Sequence, residues 1–158
     1  MISVLMRIKS VRILIIIFMM LLTGCTISGL FNYEYEYFNN NIGNLVEKND
    51  SGIYVIKNIE DVNSFKNNNE FNNNFVQNLD KYDEDFFNNE YLLVIVLYDK
   101  PGNTEYRLKN SYTENGILTI EIKEITNNIS DDSLINKAFI IEIDNREQYL
   151  EIKTKIYK

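Results

Sequence analysis

The chain has 158 residues, enough for one domain rather than two. It carries 16 Lys and Arg against 23 Asp and Glu, a formal charge of −7; with Arg7, Lys9 and Arg12 of the first 24 residues set aside, residues 25–158 hold 13 basic against 23 acidic groups, or −10. Such acidity argues against a nucleic-acid partner and against a polybasic lipid-binding patch, and a chain with no His and one Cys cannot build a Ser-His-Asp or Cys-His site, or a zinc or haem site resting on His or paired Cys.

The first segment combines a basic stretch (Arg7, Lys9, Arg12) with an unbroken apolar run, Ile13–Leu22, that closes in Thr23-Gly24-Cys25. Ten apolar residues reach roughly 15 Å as a helix, about half a hydrocarbon core, so the run reads as the apolar centre of a signal peptide over residues 1–24. Leu22-Thr23-Gly24-Cys25 resembles the lipobox of bacterial lipoproteins. In that family the Cys thiol takes a diacylglyceryl group, palmitate being the typical chain, and a dedicated peptidase cuts just before it. The resemblance implies cleavage between Gly24 and Cys25, lipidation of Cys25 and a place on the extracytoplasmic face of the cell membrane. The alternative is a plain secretory signal with a coincidental Cys. A lone lipidated Cys leaves the folded part without a disulfide, so its core must supply the stability.

Residues 25–30 read as a linker and 31–158 as a single α+β domain. Asn runs at Asn39-Asn40-Asn41, Asn67-Asn68-Asn69 and Asn72-Asn73-Asn74 are each soon interrupted by apolar residues, so they read as compositional bias. Phe31–Tyr37 alternates aromatic with polar residues and predicts a half-buried strand. Ile42, Leu45 and Val46 fall at helical spacing and predict a short helix over 41–48, ended by Asp50-Ser51-Gly52. Gly52–Lys57 predicts a strand, and Ile59, Val62 and Phe65 predict a helix from about 58. The segment 67–80, rich in Asn, predicts an irregular or partly helical stretch with Phe71, Phe75 and Leu79 on one side.

Asp83–Phe87 reads as one helical turn. Tyr91–Tyr98 is nearly all apolar and predicts a central strand covered on both faces, followed by a turn at Asp99–Asn103. Glu105–Tyr112 and Ile117–Ile125 flank an Asn115-Gly116 pair and predict a hairpin. A polar loop over 126–133 leads to a strand at Lys137–Asp144, a turn at Asn145-Arg146-Glu147 and a last strand at Gln148–Tyr157. The fold class is therefore α+β: short helices in the first half and a largely antiparallel sheet formed mainly by the second half.

The order seen from Gly52 onward resembles the C-terminal domain of the PrcB family. The resemblance rests on Tyr82-Asp83-Glu84-Asp85-Phe86-Phe87 followed by Tyr91-Leu92-Leu93-Val94-Ile95-Val96, a Gly-turned hairpin and two closing strands, and covers about 52–158. It implies a non-enzymatic accessory role, since that family is associated with stabilising a surface protease, and it supplies no catalytic residue and no cofactor.

Carboxylates are the plentiful reactive groups. Asp80, Asp83, Glu84 and Asp85 cluster before the Phe pair; they read as helix capping and solvation, with Ca²⁺ binding and acid–base catalysis as alternatives. The EF-hand pattern is not met. Tyr33, Tyr35 and Tyr37 read as a strand packing on the core, the alternative being a stacking face for glycan or a partner. Ser64, Ser111 and Ser133 have no His to activate them. The functional expectation is a membrane-anchored binding module for a protein partner; the alternatives are a carboxylate hydrolase acting on envelope glycan and an adhesive or structural envelope protein.

Overall fold

The computed structural model describes residues 33–46, 48–126 and 133–158. Among them lie nine strands and three helices arranged as a helical layer, a four-stranded sheet and a three-stranded sheet. The expected loop over 126–133 falls largely outside the described residues.

The middle layer has the order β1 (Tyr35–Phe38), β8 (Leu134–Asp144), β5 (Glu90–Pro101), β3 (Ile53–Ile56), antiparallel throughout. Tyr91–Leu97 are all buried, as the unbroken apolar run predicts for a strand sandwiched on both faces. Alternation divides the strand between two cores. Leu92, Val94 and Val96 face the helices with Ala138 and Ile140, and Tyr91, Leu93, Ile95 and Leu97 face the second sheet with Phe139, Ile141 and Ile143. At about 1.5–3 kcal/mol for each buried large side chain, the seven residues contribute roughly 10–20 kcal/mol before chain entropy is subtracted.

The outer sheet runs β6 (Thr104–Glu114), β7 (Ile117–Thr126), β9 (Glu151–Tyr157). The β6–β7 hairpin turns at Asn115 (φ 52) and Gly116 (φ 78), the paired positive φ values that an Asn-Gly sequence favours. The last strand departs from the expected hairpin. Instead of folding back on β8, it crosses to the outer sheet and lies parallel to β7, with Leu118 opposite Ile152 and Ile122 opposite Ile156. Leu118, Ile120 and Ile122 are fully buried, and β9 continues their apolar face to the sheet's edge. Hydrophobic alternation sets which face of a strand is inward, and both partners would have satisfied it.

The helical layer holds α1 (Ile59–Asn67), α2 (Asn73–Leu79) and α3 (Glu84–Phe87). Each starts at a side-chain cap: Asn58 accepts from the Asp61 N–H, Asn72 from Phe75 and Asp83 from Phe86. Val62, Phe65, Phe75 and Leu79 dock on the middle sheet. One stretch differs from expectation, and a second is more regular than expected. The segment 41–48 is not a helix; Gly43–Leu45 forms a short strand, β2, paired with β4 (Asn69–Phe71). Gly43 at φ 110 breaks helical geometry, and the Ile42 N–H is bonded to the Asn136 carbonyl at 2.9 Å. The segment 67–80, expected to be irregular or partly helical, holds the short strand β4 and then α2, with Asn72 between them capping the helix.

The turn expected at Asp99–Asn103 is shorter. β5 and β8 stay paired to Pro101 through a bulge at Asp99 (φ 49), leaving Gly102-Asn103 as the reversal. Asn136 fastens the bulge, accepting from the Asp99 N–H at 3.1 Å and donating to the Gly43 carbonyl at 2.8 Å. Beside it the fully buried Lys137 donates to Asn39 Oδ1 at 2.8 Å and to the carbonyls of Gly102, at 3.2 Å, and Thr104. Among the described residues no buried side-chain polar atom lacks a partner.

Candidate functional site

Gly24 and Cys25 lie outside the described residues. The acidic group singled out in the sequence does not converge. Asp80 ends α2 and pairs with Lys66, and Asp83 is occupied as the α3 cap, its Oδ1 accepting from Phe86 at 3.0 Å. Glu84 and Asp85 stand exposed on the first turn of that four-residue helix. Asp80, Asp83, Glu84 and Asp85 therefore do not share one concave site. Ser64 accepts a 3.4 Å bond from Asn68, and Ser111 sits next to a bulge in β6.

The tyrosine stripe is mostly structural. Tyr37 stacks on Phe139 at 4.5 Å, and its hydroxyl accepts from the Tyr106 N–H at 3.0 Å; burial pushes that hydroxyl up to about 12. Tyr33 packs on the core between the sheets and donates to Glu147 Oε2 at 2.8 Å, with Tyr149 sharing the same carboxylate oxygen. Tyr35 alone of the three is exposed.

Strand register gathers a different acidic cluster. Glu90 pairs across the sheet with Asp144, Leu92 with Glu142, and the Glu142 N–H donates to the Glu34 carbonyl. Glu34, Glu90, Glu142 and Asp144, with Tyr33 and Glu147, line a cavity of about 350 Å³ at one end of the sheets. Burial, then the charges of Glu142, Glu34 and Asp144, raise the Glu90 carboxyl above its ordinary value. The Arg146 guanidinium, bonded through Nε to both oxygens of Asp144, holds that carboxyl down at about 2. Tyr82 donates to Glu142 at 3.0 Å. Among the described residues no three His, Cys, Asp or Glu side chains converge as metal ligands, so the arrangement is a strongly acidic surface. The sequence does not signal it because the acids come from two strands, β5 (Glu90) and β8 (Glu142, Asp144), and from the segments before β1 (Glu34) and after β8 (Glu147), and only the pairing register brings them together.

The second feature is the open edge of the middle sheet. β3 is the terminal strand, and cavities flank it on both sides. On the helix side lies one of about 380 Å³ lined by Tyr54, Phe65, Asp61 and Asn68. On the other lies one of about 480 Å³ lined by Lys57, Tyr91, Tyr149 and Ile152. Val55 borders both, and is 42% exposed.

No family model, curated protein or solved structure matches this chain.

Proposed function

We propose that the chain is a lipid-anchored extracytoplasmic lipoprotein acting as a non-catalytic binding or accessory module for a protein partner at the cell membrane. The observation that carries the reading is Cys25: the single thiol of the chain closes a basic, then apolar, leader in a Leu22-Thr23-Gly24-Cys25 lipobox. Two acyl chains at about 0.8 kcal/mol per buried CH₂ hold a protein to a bilayer where one chain would exchange. The texture of residues 52–158, with its resemblance to the PrcB C-terminal domain, supports an accessory role, assisting or stabilising a surface protein such as a protease.

The fold fits such a tether. Tyr33 lies eight residues beyond Cys25, at most roughly 28 Å of extended chain, and its hydroxyl bond to Glu147 ties the incoming strand to the loop before β9. On this reading the chain from the anchor enters at the acid-lined end, whose charge disfavours lying flat on anionic lipid. Membrane fractionation with and without globomycin, alongside Cys25→Ser, tests the reading. Loss of processing and release of the chain from the membrane are expected; unchanged processing and unchanged membrane association would contradict it.

A further inference from the structure

β3 offers its outer edge to solvent, and the hydrogen bonding shows which part of that edge is open. The Val96 N–H donates to the Gly52 carbonyl at 2.7 Å. With Ile53 opposite Ile95, Gly52, Tyr54 and Ile56 are the residues bonded to β5, and Ile53, Val55 and Lys57 point their N–H and C=O groups outward. The two outer positions are capped from within the chain. Ile53 donates to Ser51 Oγ at 3.2 Å and accepts from Asn49 Nδ2 at 2.9 Å, and the Lys57 N–H donates to Asp61 Oδ2 at 2.9 Å. Val55 stands between these caps with its backbone groups facing out.

A strand edge blocked at both ends resists sheet-to-sheet aggregation, since a long flat partner collides with the caps. A short extended segment fits. Its backbone meets the Val55 N–H and C=O, and its successive side chains point to opposite faces of the sheet, where the two cavities that share Val55 receive them. Beyond Lys57 the furrow continues into a cavity of about 560 Å³ lined by Glu60, Glu84 and Phe87. Among the described residues that line these cavities, Asp61, Glu147, Glu60 and Glu84 stand against one cation, Lys57, on a body whose residues 25–158 carry −10. Charge complementarity therefore selects a basic occupant.

We propose that the Val55 edge is a recognition site for one short extended segment of a protein partner, bearing apolar side chains at alternate positions and basic residues at its ends. This rests on the binding-module reading and names what that module would hold. Contact through two backbone bonds and two side-chain cavities is small and reversible, with a dissociation constant on the order of 100 µM.

The test uses the full processed chain in detergent micelles and a fluorescein-labelled, acetylated and amidated Lys-Val-Thr-Val-Lys peptide. Fluorescence anisotropy is expected to show saturable binding, with the Val55 amide the most displaced resonance in ¹⁵N-valine-labelled protein. Methylating the peptide's central amide nitrogens, which removes donors without touching the protein fold, is expected to weaken binding at least about tenfold. Replacing its Lys residues with Glu weakens it likewise, and Glu60→Lys with Glu84→Lys, both on exposed side chains, reverses that preference. Equal binding of the methylated peptide, shifts that spare Val55, or no binding at about 1 mM would overturn the proposal. A Val55 shift that follows protein concentration without peptide would assign the edge to a second copy, and overturn it too. Membrane release of Cys25→Ser is read separately, so peptide silence removes the edge site and leaves the anchored-module reading standing.

Discussion

Replacing Lys137 with Met tests how the bulged end of the sandwich is held. The side chain is fully buried, and its ammonium joins three segments: Asn39 after β1, Gly102 in the β5–β6 turn and Thr104 at the start of β6. Methionine keeps nearly the same length and fills the same space. Each hydrogen bond from a charged donor is worth about 1.5–3 kcal/mol, so these three are together worth roughly 5–9 kcal/mol before the opposing costs are subtracted. Removing the charge also removes the cost of keeping an ammonium out of water, several kcal/mol, while the Gly102 and Thr104 carbonyls lose a partner. The expected net loss is about 2–4 kcal/mol, a large share of the roughly 5–15 kcal/mol available to a domain, with a fall in Tm on the order of 10 °C. Urea titration followed by tyrosine fluorescence measures it, since the chain has no Trp. Asn39→Ala, which leaves both carbonyls bonded, should cost about half as much, and Lys123→Met on the exposed face of β7 less than about 0.5 kcal/mol. A Lys137→Met protein as stable as its parent would refute the argument that these bonds hold the three segments.

Three further outcomes follow from the geometry. Gly43→Ala should destabilise by more than about 2 kcal/mol in the same titration, because φ is 110 there and a Cβ would stand 2.2 Å from the Glu70 carbonyl oxygen. Glu90→Gln should stabilise at pH 7 by no more than about 0.5 kcal/mol, given how exposed the group is. Because the folded carboxyl is raised, the native state favours its protonated form, so the gain should vanish below the ordinary carboxylate range; an undiminished gain at pH 3 would contradict this. Burial holds the Tyr37 and Tyr91 hydroxyls up at about 12 and raises those of Tyr82, Tyr98 and Tyr106. Their stabilising contribution is complete below pH 10 and is lost as pH climbs through about 12. Ultraviolet titration should therefore show a late group of tyrosines ionising together with unfolding, and a single reversible step near pH 10 for all eleven would argue otherwise.

The parts of this fold legible in the sequence are those set by local rules. The run Tyr91–Leu97 has one way to satisfy so much apolar surface, burial on two faces, and Asn115-Gly116 has the backbone freedom for a tight reversal. Asn58 and Asp83 declare helix starts because each can reach an N–H three residues on. What failed depended on partners distant in sequence. Ile42, Leu45 and Val46 keep helical spacing, yet Ile42 and Leu45 are buried in a strand segment because Asn136 and β4 bond their backbone and Gly43 departs from helical geometry. The apolar alternation of β9 shows an inward face and cannot say whether β8 or β7 lies beside it. The same limit hid both candidate surfaces. The acidic end exists because Glu90 lies opposite Asp144, and the Val55 edge exists because Asn49, Ser51 and Asp61 cap its neighbours and leave it open.

The most direct measurement is the intact mass of the chain extracted from membranes, with fragmentation of its first residues. The proposed function predicts a protein that begins at Cys25 and carries a diacylglyceryl group on that sulfur. A chain that still begins at Met1, or is cut elsewhere and keeps a free thiol at Cys25, would contradict it.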